Sequence, residues 1–436
     1  RDILFTWQVG KHRETGVANY QSFKDILDIQ IHNDKSFTVT SKKLHYQYHT
    51  LSGFHVLPAH LEKEAFIKPR NYRNKTLYQT NPTHPGLYNG PYRITKIVPG
   101  SYIVLEKNKY WMGKPPAFKQ IQIKTIEKTS ALEANLLSGA IDYIAGEAGL
   151  SLDQAAAFEK RHSEGYRVLY KPGLIYEHLD LMLDNPILSD VRVRKALIHS
   201  IDRTAISDRL FNGKQPVAHN KIHPLDWVHT KDVKKYPYDL QKARAFLNDA
   251  GWNIIKGGIR YNSKGQKLQL ELMSTAGNRV RELVEQVLQS YWRTVGIEIK
   301  IRNQPARVLF GETISKRKFS GLAMFAWLSA PEALPRTTLH SESIPTEGNN
   351  WSGQNYTGYK SKLMDHLIDA IEIELEKDKR KKLWGKLQKL YAEEIPAIPL
   401  YFRSNSYIIP KWLKGIRPTG HMFTSTNWIE DWYAIR

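Results

Sequence analysis

The chain has 436 residues, 41% of them hydrophobic and 25% charged, a globular composition long enough for two or three domains of about 150 residues each. No stretch approaches the roughly 18 consecutive apolar residues of a membrane-spanning helix, so the chain is expected not to span a membrane. It has no cysteine, which excludes disulfides, thiolate metal sites and cysteine nucleophiles and suits an oxidising compartment. The net charge of +21 raises nucleic-acid binding, because Lys and Arg facing phosphates release counterions. The basic residues are spread along the whole chain, however, and even the run Lys377 to Lys382 reads as the wet face of a helix that Asp378 caps. A solvated basic surface, with no nucleic-acid partner, is the expectation. The sequence opens at Arg1, so a signal peptide, lipidated cysteine or transit segment is taken as removed or left out.

In chain order, residues 1 to 66 mix loops with short strands such as Ser36 to Thr40. From Gly90 the pattern becomes strand and helix: strands at Tyr102–Glu106 and Ile121–Thr125, then a helix from Ser130 to Ser138 stopped by Gly139. That helix leads to Ile141–Ile144 and predicts a parallel element. A second unit opens near Glu177 and contains the clearest βαβ. Leu268, Leu270 and Leu272 alternate on a strand, Val280 to Tyr291 form a helical stripe ended by Gly296, and Ile297, Ile299 and Ile301 alternate again. Helices are predicted at about 361–375 and 379–392, followed by Ile395-Pro-Ala-Ile-Pro-Leu400. Two α/β lobes joined by short crossovers are the economical reading.

No serine-nucleophile elbow, His-Glu-x-x-His pair, phosphate-binding loop or dinucleotide fingerprint occurs. His219 and His223 are four apart, but Pro216 and Pro224 bracket them, so they read as surface loop residues rather than metal ligands. No catalytic residue, metal site or cofactor is assigned, and the chain is expected not to be an enzyme.

At Asp184-Asn-Pro-Ile-Leu-Ser-Asp-Val-Arg-Val-Arg-Lys-Ala-Leu197, continuing through Ser200-Ile-Asp-Arg203, the chain resembles the family 5 extracellular solute-binding proteins, the oligopeptide- and dipeptide-binding components of ABC importers. Further landmarks follow in the family's order: Asn89-Gly-Pro-Tyr92, Leu105 to Trp111, Glu133 to Asp142, Tyr238 to Leu247 with Ala250-Gly-Trp252, and Ile395 to Leu400. They read as folding signals: Asp190 caps a helix whose Val193, Ala196, Leu197 and Ile201 face inward while Arg192, Arg194 and Lys195 stay wet.

The resemblance implies an α/β, two-lobed periplasmic-binding-protein fold of type II, peptide-binder subclass, lacking the N-terminal part of lobe one. Residues 1–50 would be a remnant of that lobe's extra subdomain, 51–176 lobe one, 177–409 lobe two and 410–436 the return to lobe one. Sheet edges left open by a short first lobe would favour pairing with another chain.

In peptide-binding members, the resemblance implies, a Trp-containing segment lines the pocket and an Asp three residues beyond the Trp receives the ligand's α-ammonium. Here the segment is Phe325 to Glu332, so Trp327 and Ser329 match and Ala330 stands where the Asp would be. Glu332 is the candidate replacement, the alternative being a place outside the pocket. Asn350, Trp351, Asn355 and Tyr356, on a polar loop, suit a peptide backbone and side chains, against the alternative of a surface turn anchored by its aromatics. Arg336 and Arg403 are candidates for a ligand carboxylate.

The expected function is capture of peptide-like solutes by hinge closure between two lobes and delivery to an ABC permease, in the periplasm or at the outer face of a membrane. Other cargoes on the same fold are a nickel chelate, haem, an opine or an oligosaccharide. A basic nucleic-acid binder or a hydrolase would be a different class altogether.

Overall fold

The computed structural model describes residues 1–15, 23–48, 54–126, 129–146, 149–349, 351, 353–420 and 425–435. Near the N-terminus β1 (Ile26–Asn33) and β2 (Ser36–Ser41) form an antiparallel hairpin. Strands β3 (Tyr92–Val98), β4 (Tyr102–Lys107) and β5 (Gln120–Lys124) then make an antiparallel meander. The parallel element expected here is not among its strands. The segment after helix Thr129–Leu137 contributes a single bridge, Ile144 to Ile408, and that bridge is antiparallel.

The main sheet contains β6 (Tyr166–Leu181), β9 (Gln269–Met273), β10 (Glu298–Ile301), β11 (Leu322–Leu328) and β12 (Ala397–Pro410), in the order β10-β9-β11-β6-β12; a short hairpin, β7 (Ile254–Lys256) and β8 (Ile259–Tyr261), stands apart from it. The βαβ expected at 268–301 is present: β9 and β10 are parallel, joined by helix Arg279–Thr294. The apolar stripe dictates that helix. Val284, Leu288 and Trp292 are fully buried, each worth about 1.5–3 kcal/mol relative to exposure, and Asn278 caps the start by accepting from the Arg281 amide.

Strands β6 and β12 are long enough to run through more than one core. They pair antiparallel from Tyr166 opposite Pro410 to Asp180 opposite Ala397. At one end Val168 and Ile408 are buried with Leu136, Ile144 and Phe158, while Tyr407 and Ile409 join Tyr92, Leu413 and Trp432. At the other end Leu179, Leu181, Ile398 and Leu400 enter the largest core, with Leu197, Leu288 and Trp292. Between these cores the register slips between Arg403 and Ser404, opposite Ile175 and Pro172. Gly173 is needed there, since a Cβ would come 2.9 Å from the Gly420 carbonyl oxygen and 3.0 Å from that of Arg403.

The sequence landmarks hold this frame together. Asp190 caps helix Val191–His199, and Val193, Ala196, Leu197 and Ile201 are buried as expected. Arg194 is a correction: it is buried, donating to the carbonyls of Leu188, Ser189 and Glu394. Arg203, also buried, donates to the carbonyls of Ala218, Pro399 and Tyr236, tying three segments to one guanidinium. Asn108 donates to the carbonyls of Tyr88 and Gly90 at 2.9 Å, so the Leu105–Trp111 landmark holds the Asn89-Gly-Pro-Tyr92 turn in place. The basic run 377–382 is not wholly wet either, because Arg380 is buried; the helix spans Lys377–Glu394, and its inner face is Trp384, Leu387, Gln388 and Tyr391.

Candidate functional site

Side chains alternate on a strand, so β6 presents two faces. Leu179 and Leu181 go to the core, and Glu177 lies on their side, enclosed between Arg281 (Nε–Oε1 2.7 Å) and Arg403 (Nη2–Oε2 2.6 Å). Tyr176, His178 and Asp180 point the other way, into a recess completed by Lys221, Trp327 and Gln354. It is narrow and partly open to solvent, with a free volume of about 20 Å³, room for about one water.

One wall of the recess is aromatic. Trp327, next to Tyr176 through the β11–β6 pairing, stacks on Tyr356 with centroids 5.9 Å apart at 24° and meets Phe325 edge-on at 5.4 Å. The Tyr176 hydroxyl is 2.9 Å from that of Tyr391. The opposite wall is polar. His178 Nε2 lies 3.0 Å from Asp180 Oδ1 with both side chains buried, and Lys221 donates to the Thr338 hydroxyl. Burial pushes the Lys221 ammonium down to about 8, with the charge of Asp180 opposing the shift. Burial and the neighbouring Asp180 both push the Tyr356 hydroxyl upward.

Of the residues singled out in the sequence, Trp327 thus lines the recess, and Tyr356 stacks on Trp327. Ser329 and Ala330 lie just past the end of β11, where the Ser329 hydroxyl donates to the Ala330 carbonyl at 3.3 Å. The Glu332 carboxylate is engaged by Arg380 and by Trp227 Nε1 at 3.1 Å. Its backbone is held as firmly. At φ +54° Glu332 occupies the left-handed region, its N–H donates to Asp226 at 2.8 Å, and its carbonyl accepts from Tyr46. Arg336 is paired with Asp369 and Glu372, and Arg403 with Glu177. Asn355 is buried with its amide fully used, donating to the His340 and Tyr359 carbonyls and accepting from the Tyr359 amide and the Thr357 hydroxyl. Trp351, at φ +58°, is half-buried; Asn350 lies outside the described residues.

His219 and His223 correct the surface-loop expectation. They are in a loop, but His223 is buried edge-on against the Phe402 ring at 4.5 Å, and burial pushes both imidazoles down to about 4. The loop is held inside because Val217 bridges to Tyr401 and the Ala218 N–H donates to the Leu400 carbonyl. Asp180, His178 and Lys221 escaped the sequence reading. A signal for the first two was available: polar residues every second position inside an otherwise apolar strand.

Comparison with known proteins agrees with this architecture. Residues 1–343 match the model of the bacterial extracellular solute-binding proteins, family 5. The chain belongs to that family. The oligopeptide-binding protein AppA of Bacillus subtilis is 23% identical over 98% of this chain and 76% of its own length. The solved oligopeptide-binding protein of Thermus thermophilus, complexed with a pentapeptide, is 28% identical with a TM-score of 0.79, covering 98% of this chain and 79% of that one. NikZ of Campylobacter jejuni in complex with Ni(L-His) has the same fold, at 24% identity and a TM-score of 0.83, over 99% of this chain and 83% of that one. As a family 5 protein, this chain is the solute-binding component of an ABC importer. Among the described residues no helix is long and apolar enough to cross a membrane.

Proposed function

We propose that this family 5 protein captures peptide-like solutes in the periplasm, closes over them by bending β6 and β12 between Pro172 and Ser404, and is read in its closed form by a membrane permease. The lobe boundaries we propose are those the landmarks imply, 51–176 with 410–436 against 177–409, except that Tyr407, Ile408 and Ile409, which pack with the first group, go with it. The observation that carries the reading is the recess on the outer face of β6: an aromatic wall of Trp327, Tyr176 and Tyr391, with Tyr356 stacked on Trp327, against buried polar groups, directly beyond the register slip. An apolar wall with a few convergent polar groups is what a peptide, alternately apolar and hydrogen-bonding, requires. The matched relatives that bind oligopeptides support the same cargo class. For a metal cargo the described residues offer no cluster of three or more His, Asp or Glu, so a nickel ligand would have to arrive as a chelate.

Native mass spectrometry of protein purified without refolding tests this. A ladder of bound peptides is expected, reduced at least roughly tenfold in Trp327→Ala, as for an aromatic anchor in a pocket. A single bound metal chelate or glycan in place of the ladder would overturn the peptide reading.

A further inference from the structure

We infer that Lys221 is the anchor for a carboxylate at one end of the cargo, so that this protein grips its ligand by an acidic terminus rather than by an ammonium. The inference rests on the peptide reading and deepens it. Three observations carry it. First, Ala330 and Ser329 just beyond Trp327 carry no charge, and the acid that follows them, Glu332, is consumed by Arg380 and Trp227. An incoming ammonium finds no free carboxylate on that segment. Second, Lys221 lines the recess with one hydrogen-bond partner for its three donors, the neutral Thr338 hydroxyl, and forms no ion pair among the described residues. Asp180, the acid of the same recess, is already engaged by His178.

Third, the residue before Lys221 adds another unused donor. Asn220 is 1% exposed, and its Oδ1 accepts from the Ile222 amide at 2.6 Å, which leaves Nδ2 as the free end of the amide. That Nδ2 has no partner among the described residues. Asn220 and Lys221 both line a narrow cleft that shares Lys221, Leu339 and Tyr391 with the recess. A cation with one neutral hydrogen-bond partner, next in sequence to a buried unsatisfied N–H, is a costly arrangement for a protein with nothing to bind there, and an incoming oxyanion would offset the cost at Lys221. On this proposal the ligand carboxylate faces Lys221, and the rest of the chain leaves past Trp327 toward the opposite lobe.

The test compares a pool of aromatic-ended pentapeptides bearing free C-terminal carboxylates with the same pool C-terminally amidated, by calorimetry and native mass spectrometry. Wild type is expected to favour the free acids by roughly 10- to 100-fold, the range for a charge-assisted hydrogen bond. In Lys221→Met the preference is expected to fall to about unity, with an unchanged thermal unfolding midpoint as the check that the variant is folded. Thr338→Val keeps the charge but frees the ammonium, and is expected to lose part of the preference.

A pH series gives an independent readout. Lys221, at about 8, discharges on going from pH 7 to about pH 9.5, whereas burial holds the hydroxyls of Tyr176, Tyr356 and Tyr391 above 10. The acid preference of wild type is therefore expected to vanish over that interval. Equal binding of both pools by wild type, or a preference retained in Lys221→Met, overturns the anchor and leaves the peptide reading standing. Binding of neither pool overturns the peptide reading and the proposed cargo class with it.

Discussion

Two charged groups lie back to back across one strand and serve opposite ends. On the inner face of β6, Glu177 is enclosed between Arg281 and Arg403, every charge answered. On the outer face, Lys221 has one hydroxyl for company beside a recess. Burying a charge is costly on either face, and the first arrangement offsets more of that cost within the protein, since Lys221 has the charge of Asp180 nearby but no ion pair among the described residues. A satisfied buried ion pair is therefore a sign of scaffold, and an under-partnered one a sign of a site. The same criterion sorts the remaining candidates: Glu332 and Arg336 belong with Glu177, and Trp327 and Tyr356 with Lys221.

The sharpest way to break the comparison is to unbalance the inner face. Glu177→Gln leaves two guanidinium groups facing each other and is expected to lower stability by about 3–5 kcal/mol in urea titration. Burial alone would push the Glu177 carboxyl up, but Arg403 and Arg281 outweigh it and hold it below its ordinary value. A depressed carboxylate contributes stability that is complete above the unfolded value of about 4.5 and is lost as pH falls through the folded one. The variant should therefore lose most at neutral pH and approach wild type on acidification. A variant as stable as wild type at pH 7 would show that a satisfied triad is no scaffold here.

A smaller effect, about 2–3 kcal/mol, is expected for Glu332→Gln, which strands the buried Arg380. This substitution sharpens the comparison because Glu332 was also a candidate for the ligand ammonium. Scaffold predicts a lower unfolding midpoint with peptide affinity unchanged once folded. Ligand group predicts the reverse.

Much of the frame was legible in the sequence because it is local. The βαβ of β9 and β10, the Asp190 cap and the Gly296 stop are patterns within about 35 residues of chain, where periodicity and capping chemistry apply directly. The site was not, because its geometry is made by pairing distant segments. Arg403 looks like a free cation in the sequence, and only the β6–β12 pairing brings Glu177 to it. Lys221 was hidden for the opposite reason. A loop bracketed by Pro216 and Pro224 reads as surface, yet β12 draws it inside through the Val217 bridge.

The smallest expected effect comes from Glu285, a buried acid that answers to neither side of the comparison. Its Oε2 accepts from Asn303 at 2.7 Å, its Oε1 has no partner among the described residues, and burial, opposed by the Asn303 bond, pushes the carboxyl up to about 7. The sign is opposite to that of Glu177. A carboxyl raised in the fold contributes fully below the unfolded value of about 4.5 and loses that contribution as pH rises through about 7. Glu285→Gln keeps the shape and cannot ionise, so it should match wild type at pH 4 and exceed it by about 1–2 kcal/mol at pH 8. The pair of pH profiles separates the cases: a Glu285→Gln difference that is flat with pH would mean that the carboxyl titrates alike in the folded and unfolded states. A loss at pH 8 would mean that an ionised Glu285 is answered by a partner, as Glu177 is.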